Sequence, residues 1–161
     1  MIEAAEQQLL IAQRLWNEGK VEESLQTLNL LMVRNPEFGK AHAFWGMLLF
    51  QDFLDFLAAE DAFKKALKLS PLNPSLYLNY AALLLRLERY NETVALLNKA
   101  LEVPGVDKGK ANRLFGLLYE RQQEWDEAIS YFSKAFQYTF SNDELDLYKA
   151  DIQRIVQKRA L

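Results

Sequence analysis

Small residues return at a fixed interval along this chain. Ala12, Gly46, Ala81 and Gly116 are separated by 34, 35 and 35 residues, each inside an apolar stretch. A second series, Leu31, Ala66, Ala100 and Ala135, repeats with spacings of 35, 34 and 35. A period of this length holds two short helices and their turns, too little to bury an apolar face alone. Each unit must therefore cover the next, and the architecture must be a stack.

The apolar spacing predicts helices over 3–18 and 21–34, 38–51 and 56–69, 75–87 and 91–103, 109–122 and 125–138, then a ninth over 142–159. Breakers punctuate the series at Gly19, Pro36, Pro71, Pro74, Pro104, Gly105 and Gly109. Strand-type alternation is absent, so the class is all-α. Residues 1–161 are expected to form one domain, with repeats at 5–38, 39–73, 74–108 and 109–140 and a capping helix at 142–159.

The fourth repeat shows the packing chemistry most clearly. Phe115, Gly116 and Tyr119 share one face of its first helix, and Ala128, Phe132 and Ala135 share one face of its second. Gly116 and Ala128 allow close helix approach, and Phe132 fills the space beside them.

This order of small, aromatic and closing proline residues resembles the tetratricopeptide repeat family over residues 5 to 140. The second repeat supplies Gly46, Ala59, Phe63, Ala66 and Pro71, and the fourth Gly116, Tyr119, Trp125, Ala128, Phe132 and Ala135. The third is looser (Ala81, Tyr90, Thr93, Leu97, Ala100), and the first loosest (Ala12, Ser24, Leu28, Leu31, Pro36). The resemblance implies a right-handed α-solenoid whose first helices line a concave, peptide-binding groove. Departures are visible. The family's early tryptophan is replaced by Gln8, His42, Tyr77 and Asn112, and Gly46 to Ala59 takes thirteen steps where the other repeats take twelve. The extra residue lies within Gln51–Asp55.

The ninth segment is not a repeat. Leu145, Tyr148, Ile152, Ile155 and Val156 make an apolar stripe against a polar one of Asp146, Lys149, Asp151, Arg154 and Lys158. Ser141 and Glu144 have capping-box spacing. A solenoid needs such a one-sided terminal element to shield its last repeat.

Mapped onto the implied groove, the candidate partner-binding residues are Phe44, Met47, Phe50, Asn79, Lys110 and Arg113. Residues 43–50 read AFWGMLLF, more than two turns without a polar group, so this helix is apolar all round. Lys110 and Arg113, with Lys40, Arg86 and Arg121, form a cationic line suited to a carboxylate or acidic segment. The family's clamp for chaperone C-terminal tails is matched only at Asn79 and Lys110; Ala43, Met47 and Leu114 stand at its other places. Phe53 and Leu54 have no place in the repeat and form a candidate exposed apolar turn.

No catalytic, cofactor-binding or metal-ligating set is expected. His42 is the only histidine, there are no cysteines, and the six glycines form no phosphate loop. Acid pairs such as Glu22–Glu23 and Asp126–Glu127 open second helices, where they suit the helix dipole. A net charge of −3 argues against nucleic acid. The most apolar window, 41–59, is interrupted by His42, Gln51, Asp52 and Asp55, short of the ~20 residues a spanning helix needs. The first fifteen residues carry no secretory pattern, and a cytoplasmic location is expected. The expected role is a non-catalytic scaffold, adaptor or co-chaperone-like module holding a protein or peptide. A component that self-associates into a homo-oligomer is the second reading.

Overall fold

The structure, a computed structural model, describes residues 2–161. Among these, nine α-helices and no strand are found: α1 (Ile2–Asn17), α2 (Val21–Arg34), α3 (Gly39–Gln51), α4 (Phe56–Leu69), α5 (Pro74–Arg86), α6 (Tyr90–Glu102), α7 (Lys108–Arg121), α8 (Trp125–Gln137) and α9 (Asn142–Arg159). Each lies within one residue of the span expected from the periodicity. The chain divides into an N-terminal unit, Met1–Leu76, and a C-terminal unit, Tyr77–Leu161.

Within the N-terminal unit α1 pairs with α2 and α3 with α4, and α3 also packs on α2. Its core joins Ala5, Leu9 and Ala12 of α1, Leu28 and Leu31 of α2, and Ala41, Phe44 and Leu48 of α3. Within the C-terminal unit α7 pairs with α8, α6 packs on α7, and α9 packs on α8.

The small-residue series works by volume matching. A Cβ on Gly46 would fall 2.7 Å from a ring carbon of Phe63, and one on Gly116 equally close to Phe132. Repeats one and three put alanine there, and a leucine replaces the phenylalanine: Ala12 with Leu28, Ala81 with Leu97, all fully buried. Glycine thus accompanies the ring, and alanine the smaller leucine. The next small position alternates in step. Ala59 and Ala128 serve repeats two and four, while Ser24 and Thr93 serve one and three. Both hydroxyls are buried and satisfied, Ser24 donating to the Ala12 carbonyl at 2.7 Å and Thr93 to that of Arg89 at 2.9 Å.

The turn inside each repeat has its own period. Gly19, Leu54, Glu88 and Gln123 have φ of 77°, 55°, 58° and 62°, each five residues before the small residue of the following helix. Only the first is glycine. A residue with a Cβ in this region costs about 1–2 kcal/mol, and the other three repeats bear it.

Helix starts use two devices. Asp55 accepts a hydrogen bond from the Ala58 N–H, and Asp107 one from that of Lys110, capping α4 and α7. Helices α2, α6 and α8 lack a side-chain cap and carry acids in the first turn instead.

The ends of α9 depart from expectation. Ser141 makes no side-chain cap; Thr139 instead donates to the Glu144 carboxylate and accepts from the Ser141 N–H. The Glu144 carboxylate and the Ser141 N–H, which a capping box would join to each other, are thus both taken by the Thr139 hydroxyl. Asp151, assigned above to the polar stripe, lies on the buried face with Tyr148 and Ile155, and Val156 faces solvent. Positions 148, 151 and 155 are spaced i, i+3 and i+7, and this stripe is the one α9 turns inward.

Candidate functional site

In the N-terminal unit the wholly apolar helix α3 divides its side chains. Phe44 sits in the core formed with α1 and α2, and Met47 packs half-buried against the same cluster. Phe50, also half-buried, meets Phe56 edge to face at 6.1 Å. Phe44 therefore offers little surface, whereas Met47 and Phe50 keep part of theirs. Lys40 is committed to Glu6 of α1. His42 is buried, with its Nε2 2.9 Å from the Pro36 carbonyl; it replaces the family tryptophan as a packing residue.

Phe53 and Leu54 are both exposed, at 46% and 64%. Phe53 nonetheless has partners: its ring lies 6.0 Å from Trp16 and 5.9 Å from Trp45, tilted by 66° and 55°.

In the C-terminal unit Asn79 is half-buried on α5 and Lys110 exposed on α7. Lys110 is 3.3 Å from Asp107 and 3.7 Å from Glu144. Arg113 is held internally, its Nε donating to Asp151 of α9 at 2.7 Å. Asp151, only 1% exposed, also receives Arg154 at 2.7 Å. Arg154 in turn makes a two-pronged bond to Glu120 of α7, Nε at 2.9 Å and a terminal nitrogen at 2.6 Å. Lys158 adds a third donor to Glu120 at 2.8 Å. The pairs advance together along both helices, 113 with 151 and 120 with 154 and 158, so α7 and α9 run the same way.

Burial alone would raise the Glu120 carboxyl, but the hydrogen bonds from Arg154 and Lys158 outweigh it and hold the group below the ordinary carboxylate range. Tyr148 is different. Its hydroxyl is buried with no hydrogen-bond partner, and burial, with Glu144 and Asp107 nearby, pushes it up to about 12.

Beside this network lies a cavity of about 470 Å³ lined by Arg113, Leu117, Glu120, Arg121, Gln123, Trp125, Arg154 and Lys158. Four cations line it with one carboxylate, and the buried Asp151 neutralises one more, leaving a surplus of two positive charges. Arg121 and Lys158 are exposed. Sequence reasoning found Arg113 and Arg121 but missed Glu120, Asp151, Arg154 and Lys158. A spacing signal existed: Arg113 and Glu120 are seven apart on α7, and Asp151, Arg154 and Lys158 stand at i, i+3 and i+7 on α9. It becomes legible once the two helices are known to be neighbours.

Among the described residues no helix is long and apolar enough to cross a membrane.

Comparison with known proteins identifies the repeat. The family described as Tetratricopeptide repeat matches residues 62–95, from α4 through α5 into α6. Protein O-mannosyl-transferase Tmtc1 of Drosophila melanogaster is 35% identical over 85 residues, 53% of this chain. The chain spans 9% of that relative. The solved structure of pilF from Pseudomonas aeruginosa superposes with a TM-score of 0.84 at 20% identity, covering 98% of this chain and 70% of that one. The first tetratricopeptide repeat domain of Spaghetti (RPAP3), solved with the HSP90 peptide SRMEEVD, gives 0.64 at 21% identity, with coverages of 77% and 94%. These structural likenesses establish the fold.

Proposed function

We propose that this chain, a tetratricopeptide-repeat protein, is a non-catalytic interaction module that holds a segment of a partner protein along the first helices of its repeats. The observation that carries this reading is the cavity beside α7 and α9, with its surplus of positive charge and exposed Arg121 and Lys158. An acidic segment fits it by charge, with Trp125 and Leu117 as apolar surface. On α7 Lys110 extends the cationic line, and Asn79 supplies an amide on α5. On α3 the surface left at Met47 and Phe50 suits apolar anchors, with Phe44 supporting them from the core.

Arg113 acts in this scheme as a positioning residue, since its guanidinium is held by Asp151. The chaperone-tail clamp is matched at only two places, so SRMEEVD is expected to bind weakly. One working domain, 1–161, and a cytoplasmic location belong to this proposal, as does the absence of nucleic acid among its partners.

Affinity capture from the source cell tests the reading. Wild type is compared with Arg121→Glu and Phe50→Glu, after circular dichroism shows equal helicity. Loss of a discrete protein from either variant supports partner binding on the first helices. Identical captured sets from all three forms would sink it.

A further inference from the structure

The extra residue of repeat two can be located. In repeats one, three and four the first helix closes with a pair of hydrogen bonds: Gly19 N–H to Trp16 O and Lys20 N–H to Leu15 O, then Glu88 to Leu85 and Arg89 to Leu84, then Gln123 to Glu120 and Glu124 to Tyr119. In each pair the wider bond spans five residues, the usual C-terminal motif. Repeat two instead bonds Phe53 N–H to Leu48 O and Asp55 N–H to Leu49 O, the latter spanning six. The left-handed residue still stands five before the next small residue in every repeat, so the addition precedes Leu54. It is Phe53, and its ring closes on Trp16 and Trp45.

Insertions in a solenoid gather on one face, often the binding face. Here the insertion assembles three aromatic rings, two half-buried and one exposed, and places Leu54 and Leu57 in solvent beside them in sequence. Arg14 and Lys20, near Trp16, are both paired with Glu18, and the charge flanking Trp45 and Phe53 in sequence has one sign. Residues 41–63 contain Asp52, Asp55, Glu60 and Asp61 and no lysine or arginine. Glu60 is engaged by Lys64 and Asp55 caps α4, whereas Asp52, next to Phe53, is exposed. Aromatic faces and carboxylates together favour a guanidinium or ammonium, and the leucines favour aliphatic side chains.

We infer that the Trp16–Trp45–Phe53 edge, with Leu54 and Asp52, is a second docking surface, and that its occupant is a short basic, leucine-rich segment of another protein. A cationic side chain lies on the rings and against Asp52, and its aliphatic neighbours cover Leu54 and Leu57. This surface shares no residue with the cationic cavity proposed above and has the opposite charge preference.

Trp125→Phe leaves Trp16 and Trp45 as the only tryptophans of the three, so their emission reports on the edge. The probes are two synthetic peptides, Ac-RLLRRLLR-amide and its counterpart with glutamate for every arginine. Titration with the arginine peptide is expected to give a saturable emission change that the glutamate peptide does not give. Phe53→Ser and Asp52→Lys are each expected to weaken binding at least tenfold; Phe53→Ser leaves the net charge untouched and so separates docking from general attraction to an acidic chain. Equal response to both peptides, no response to either, or full affinity in both variants overturns the inference. So does concentration-dependent self-association in light scattering that Phe53→Ser abolishes, since the occupant is then a second copy. Asp52 is exposed, so its variant keeps the test open should Phe53→Ser prove unstable.

Discussion

If volume matching explains the alternation of glycine with phenylalanine and alanine with leucine, repeat four can be converted to the chemistry of repeats one and three. Gly116→Ala alone places a Cβ 2.7 Å from two carbons of the Phe132 ring, which is fully buried and has nowhere to withdraw. Overpacking of this kind costs roughly 1–3 kcal/mol, offset by about 1 kcal/mol of gained helix propensity. The net loss expected is about 0–2 kcal/mol. Phe132→Leu alone leaves a cavity against Gly116, and scaling from full truncation to alanine gives about 1–2 kcal/mol. The double variant recreates the Ala12–Leu28 and Ala81–Leu97 pairs and should fall within about 1 kcal/mol of wild type, a coupling of about 2 kcal/mol. Urea denaturation of the four proteins, followed by far-ultraviolet circular dichroism, measures the cycle. Phe132→Leu should also lower Tm by about 2–8 °C, Gly116→Ala by up to about 8 °C and the double variant by no more than about 4 °C. Additivity to within about 0.5 kcal/mol would mean that the two side chains do not compete for one volume, and the Gly46–Phe63 pair provides an independent repetition.

Further expectations follow from three single groups. Tyr148→Phe removes a buried hydroxyl without a partner and should be neutral or stabilising by up to about 1 kcal/mol in thermal melts; a clear loss would mean that the hydroxyl is bonded. Because Tyr148 is raised from 10.0 to about 12, the unfolded chain ionises first, so wild-type stability should decline as pH rises from about 10 to 12 and the phenylalanine variant should show less of that decline. Glu120 is lowered in the fold, so its contribution is present above the ordinary carboxyl range and is lost as pH falls through its depressed value; Glu120→Gln should flatten that acid limb, and an unchanged limb would count against the network. Leu54→Gly relieves a left-handed backbone at 55° and, after the larger chain entropy of glycine, should raise stability by about 0.5–1 kcal/mol, read as an increase in the urea midpoint.

The helices were legible because their signals are local. The stops at Gly19, Pro71 and Pro104 and the apolar spacing between them depend on neighbours three or four residues away, which a sequence displays directly. The Gly46–Phe63 and Gly116–Phe132 matches were half visible, since a fixed period brings the two positions into register. Less was legible at the candidate sites. Phe44 and Phe50 look alike on a helix apolar all round, yet one enters the α1–α2–α3 core and the other keeps surface. Arg113 and Lys110 look alike as cations on α7, yet Asp151 takes only the first.

What separates these cases is the range of the interaction. Backbone hydrogen bonding and side-chain spacing within a turn write the nine helices and their pairing period into the order of residues. The fate of a long polar or aromatic side chain depends instead on what a neighbouring helix presents at its tip. Asp151 could be buried only because Arg113 and Arg154 arrive there together, repaying a desolvation that no local pattern records. Phe53 became part of an aromatic edge only because α1 and α3 bring Trp16 and Trp45 to 6.0 Å and 5.9 Å from the ring of one added residue.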